Sequence, residues 1–154
     1  MLQTTRSKIE MHFEIGHCNG TMAMQIFVND TLVVNHASFD TNHFVFEKLV
    51  SWPSQIKIVV SNKNLSCDTQ VDEQGKIVAD KYIELKKVLV DRVESSIAYL
   101  NSPILDTGDN KINSCYWGFN GVVNLNFDQT DSFIWHLNQR SNPDKSYVVI
   151  NTRI

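Results

Sequence analysis

Side chains able to do chemistry concentrate in two stretches of the chain. The first is oxygen-rich and contains Asn62, Asn64, Asp68, Asp72, Glu73 and Asp80. Calcium takes roughly six to eight oxygen ligands, and a loop between two strands can gather them. Asp68, Asp72 and Asp80 are therefore the candidate metal ligands. The spacing Asp68-x-x-x-Asp72-x-x-Gly75 is not that of an EF-hand. The same Asp and Asn side chains also suit a solvated loop, where they fix turns through local hydrogen bonds. The second stretch is Tyr116-Trp117-Gly118-Phe119-Asn120-Gly121, with glycines among aromatics. Glycine lets the backbone bend or approach closely. Such aromatics pack a core around a bulge, anchor a protein interface, or stack on sugar rings. Tyr116, Trp117 and Phe119 are the candidate interface or ligand-platform residues.

Other chemistry finds little support. His12, His17, His36, His43 and His136 form neither HxH nor HExxH. Cys18, Cys67 and Cys115 are odd in number and widely spaced, unlike a disulfide framework or a paired zinc site. GxSxG, P-loop and dinucleotide fingerprints are absent. Carboxylates are plentiful, but spacing along the chain does not bring a pair to the separation glycoside hydrolysis needs. The expectation is a protein that binds or assembles, not an enzyme.

The elements that must position these residues read as strands. Ile9, Met11, Phe13 and Ile15 alternate with Glu10, His12 and Glu14, a period of two with one dry and one wet face. Residues 22–28 and 31–35 flank Asn29-Asp30, residue types that tolerate positive φ in a tight hairpin. Further strands are predicted over 44–50, ended by Trp52-Pro53, and over 55–61, 82–90, 122–127 and 147–150. The segment 62–80 is the longest loop, within which Val71 and Ile77-Val78 are able to pair. Asp131 as N-cap, with Phe133, Ile134 and Leu137 at helical spacing, predicts one short helix over 131–138. Short strands with turn signals between them predict an all-β fold, a single antiparallel β-sandwich of jelly-roll kind spanning 1–154.

Composition agrees. The chain has 154 residues, 42% hydrophobic and 20% charged, enough for a packed core. A net charge of −3 without a Lys/Arg cluster argues against nucleic acid. No apolar run is long enough to span a membrane, and the N-terminus lacks an apolar signal stretch. The sequons at Asn19, Asn29 and Asn64 then read as turn residues rather than glycan sites.

Two resemblances add to this reading. The hairpin Ile26-Phe27-Val28-Asn29-Asp30, the strand Ile58-Val59-Val60-Ser61-Asn62 leading into a polar loop, and the strand 83–91 after it resemble small calcium-dependent carbohydrate-binding modules of the xylan-binding kind. That resemblance implies a jelly roll with calcium and glycan at the polar loop. The segment 68–81 and the run Tyr116 to Gly121 resemble small structural proteins of tailed bacteriophages. That resemblance implies a virion component (head, neck or tail accessory) made in the host cytoplasm. Its partners would be other virion proteins or further copies of itself. The leading expectation is the virion protein, with no cofactor. The alternative is a carbohydrate-binding module, with calcium as its cofactor.

Overall fold

A computed structural model describes residues 6–95 and 103–127. The predicted helix over 131–138 and strand over 147–150 lie outside the described residues. All regular elements among the described residues are strands, and every pairing is antiparallel. One sheet has the order β12 (Tyr116–Trp117), β8 (Tyr82–Val90), β1 (Arg6–Gly16), β4 (His43–Ser51), with β9 (Val93–Ser95) also paired to β8. The second runs β11 (Lys111–Asn113), β10 (Ile104–Asp106), β13 (Gly121–Phe127), β5 (Ser54–Ser61), β2 (Ala23–Val28), β3 (Thr31–His36). A separate hairpin joins β6 (Thr69–Val71) to β7 (Ile77–Asp80). The expected antiparallel β-sandwich is therefore the fold.

Alternation decides which face each sheet buries. On β1, Ile9, Met11, Phe13 and Ile15 are buried, opposite Val90, Val88, Leu85 and Ile83 of β8. On the other sheet Met24, Ile26 and Val28 face Val60, Ile58 and Ile56, and Ile58 faces Val123. The two inner faces share a hydrophobic cluster. At roughly 25 cal/mol per Å² of apolar surface removed from water, this burial is the main force holding the sheets together.

Tight turns set the registers. Asn29 and Asp30 have φ of 48° and 68°, the left-handed values a primed hairpin requires. Asn29 Oδ1 also accepts the Gln55 N–H at 2.8 Å. Asp91 and Arg92, with φ of 52° and 68°, make the equivalent turn between β8 and β9. The sequon residues sit in turns. Asn19 has φ 59°, and Asn64 Oδ1 accepts the Ser66 N–H at 3.0 Å.

The loop over 62–80 is more built than its polarity suggests. Gln70 pairs with Ala79 and Val71 with Ile77. Asp72 Oδ1 accepts the N–H groups of Gln74 and Lys76, closing the hairpin turn around Gly75.

Candidate functional site

A shallow groove of about 640 Å³ opens where β1, β4, β7, β8 and β12 end side by side. Its walls include Glu14, Gly16, His43, Tyr82, Tyr116 and Asp80, with Ile77 and Val78 of the hairpin along one side. The strand registers place these residues together. Glu14 lies opposite His43 on one flank and Glu84 on the other, Gly16 opposite Tyr82, and Tyr116 opposite Glu84. Alternation along β1 turns Phe13 and Ile15 into the core and Glu14 outward.

Two tyrosines form the centre of the groove. The Tyr82 and Tyr116 rings stack with centroids 4.4 Å apart and planes 21° apart. Their hydroxyls are tied to different strands, β1 and β7. Tyr82 donates to Glu14 Oε2 at 2.6 Å, and Tyr116 donates to Asp80 Oδ2. Below, Tyr82 rests on Gly16, where a Cβ would lie 2.1 Å from two ring carbons. Only glycine leaves that ring its place. Burial, then the bond to Glu14, pushes the Tyr82 phenol up to about 12. Burial, then the bond to Asp80, raises Tyr116 as well.

Polar capacity remains around the rings. Glu14 commits Oε2 to Tyr82, while its Oε1 accepts no hydrogen bond among the described residues. His17 bonds the Thr41 carbonyl through Nε2 at 3.0 Å and also lines the groove. His43 and Asn42 also line it. A second hollow of about 440 Å³, lined by His12, Val45, Lys86 and Lys87 among others, shares Glu14 and His43 with the first. The two hollows therefore adjoin.

The sequence-predicted site residues separate. Tyr116 is 39% exposed and lines the groove. Trp117 is a correction. It is fully buried, packs at 6.1 Å from Phe13, and donates Nε1–H to the Ser114 carbonyl at 2.8 Å. Adjacent strand residues face opposite sides, so the pairing of β12 with β8 that exposes Tyr116 buries Trp117. Phe119 is exposed in the turn after β12 and does not line the groove.

The three predicted metal ligands take different partners. Asp80 faces the groove and pairs with Lys63, Asp68 is buried against Lys81, and Asp72 serves the hairpin turn. Among the described residues no group of three or more His, Cys, Asp or Glu is placed to hold a metal ion. The Asn64 N–H, then the Lys81 side chain, holds the Asp68 carboxyl well below the usual range. Burial pushes Asp80 up, but its bonds from Lys63, Thr69 and Tyr116 prevail and lower it.

Glu14, Gly16, His43 and Tyr82 were not singled out by the sequence. The wet face of β1 did contain Glu14. Its meeting with Tyr82 depends on a pairing between strands far apart in the chain.

No known protein family matches the sequence, and no curated protein matches it. Two solved structures align with it at low similarity. One is a selenomethionine form of vCBM60, from work on circular permutation linking two families of calcium-dependent carbohydrate-binding modules. It is 14% identical over 79% of this chain and 92% of that chain, with a TM-score of 0.49. The other is vCBM60 in complex with galactobiose, 14% identical over 77% of this chain and 97% of that chain, with a TM-score of 0.46. Likenesses this distant carry no functional argument. Nothing in these findings supports the virion reading.

Proposed function

We propose that this protein is a non-catalytic carbohydrate-binding module whose groove takes an oligosaccharide. The observation that carries the proposal is the Tyr82–Tyr116 pair, anchored at both hydroxyls and standing in an open, polar groove. Sugar rings present apolar C–H faces and hydroxyl edges. An aromatic face takes the first, and fixed donors and acceptors take the second. Tyr116 supplies the aromatic surface. Glu14 Oε1 accepts from a hydroxyl, while His43 and Asn42 donate or accept. The tethers fix the rings before the ligand arrives, so binding does not have to order them. The continuation toward Lys86 and Lys87 gives room for more than one sugar ring. The groove, rather than the distant likeness to vCBM60, supports this reading.

A glycan array identifies the ligand, and calorimetry on the best hit measures its affinity. Tyr116→Ala and Glu14→Gln are each expected to weaken binding about tenfold, the loss of about 1.4 kcal/mol. Binding to no glycan, or full affinity in both variants, would overturn the proposal.

A further inference from the structure

At its two ends the segment from Asn62 to Lys81 holds four charged side chains largely out of water. The Lys63 and Asp80 side chains are 3% and 9% exposed and meet at 2.7 Å; those of Lys81 and Asp68, each 5% exposed, meet at 2.9 Å. Both carboxylates are well supplied with donors, four on Asp68 and three on Asp80 among the described residues. Asp68 Oδ2 accepts the Asn64 N–H at 2.8 Å and the Lys81 ammonium, while Oδ1 accepts from Asn19 at 3.3 Å and from the Cys67 thiol at 3.5 Å. Asp80 Oδ1 accepts from Lys63 and from the Thr69 hydroxyl at 2.6 Å, and Oδ2 from Tyr116. Lys81 also donates to the Asn62 carbonyl at 3.2 Å.

This arrangement does not fit calcium, the cofactor implied by the resemblance to carbohydrate-binding modules. A divalent ion needs carboxylate oxygens that are free of other cations. Here each carboxylate already has its counter-charge. Seating the ion would expel an ammonium and strand it, buried and unpaired, beside a double positive charge. We infer that Lys63 and Lys81 are the resident counter-ions of this loop, and that they occupy the role a metal would otherwise fill. The groove, whose Tyr116 is tied to Asp80, is then complete without divalent cations. That last consequence rests on the glycan-binding reading; the counter-ion assignment does not.

Thermal unfolding of the full chain in excess calcium and in excess chelator tests the assignment. The expected melting temperatures coincide. Lys63→Met and Lys81→Met, each leaving a buried carboxylate unpaired, should lower melting by about 10 °C. Adding Asp80→Asn to Lys63→Met should recover much of that loss, because no buried charge is then left alone. A rise of several degrees in calcium overturns the inference, since an ion bound only by the folded state must stabilise it. Unchanged melting in both lysine variants overturns it too. If the single variants do not fold, the calcium titration of the unaltered protein still decides. A glycan array run in chelator separates the two proposals. Glycan binding together with a calcium shift removes only the counter-ion inference. No glycan binding and no calcium shift removes only the functional reading.

Discussion

Replacing Gly16 with alanine should undo the centre of the groove. The added methyl would lie 2.1 Å from Cδ1 and Cε1 of Tyr82 and 2.8 Å from the Asp80 carbonyl oxygen. Neither distance is tolerable, so the Tyr82 ring must swing away from β1. Overpacking of this kind costs about 1–3 kcal/mol. The displaced ring also leaves its bond to Glu14 and its stack on Tyr116. A hydrogen bond to a charged group contributes about 1.5–3 kcal/mol when well shielded. Tyr82 is only half-buried, so the lower end applies. A loss of about 3 kcal/mol follows, read as a drop of about 6–12 °C in melting for a chain of this size. Denaturant unfolding supplies the free energy directly. A second background isolates the cause. In Tyr82→Ala the ring is gone, so Gly16→Ala should cost less there, the contact with the Asp80 carbonyl remaining. The reasoning is refuted if Gly16→Ala unfolds within about 0.5 kcal/mol of the parent protein, the ordinary range for harmless substitutions. It is refuted equally if the cost is the same with and without the Tyr82 ring.

Ile58, fully buried between Ile26 and Val123, should lose about 2–5 kcal/mol on truncation to alanine, with an unchanged denaturant slope; a cost under about 1 kcal/mol would mean that the two sheets do not share this core. Stability should also depend on pH at both extremes. Asp68 and Asp80 have folded-state values below their ordinary ones, so their contribution is complete above about pH 4 and fades as the pH falls below it. Tyr82 is shifted the other way, to about 12, so its contribution is complete below about pH 10 and fades as the pH climbs through the folded value. Melting followed across pH should therefore fall at both ends, and Tyr82→Phe should flatten the alkaline limb; a limb unchanged in that variant would show that the phenol is not responsible.

Much of the architecture is written locally in the residues. The alternation Ile9, Met11, Phe13, Ile15 requires a strand with one dry face wherever the chain folds, because adjacent side chains point to opposite sides. Asn29-Asp30 dictates a tight hairpin because few other residue types accept left-handed backbone. The Val71–Ile77 pairing within a polar loop is legible for the same local reason, a short β-rich run on each side of a turn.

The site depends on distant parts of the chain meeting. Glu14 and Tyr82 are 68 positions apart, and Asp80 and Tyr116 are 36 apart. Sequence placed Asp68, Asp72 and Asp80 on one loop and made them metal candidates. Tertiary structure brought Lys63 and Lys81 to two of them, turning a ligand set into ion pairs. It also divided Tyr116 from Trp117, one to the groove and one to the core, by fixing how β12 pairs with β8. Periodicity sets which side chains share a face. The register between strands far apart in sequence sets which faces meet, and no local preference of the residues encodes that register.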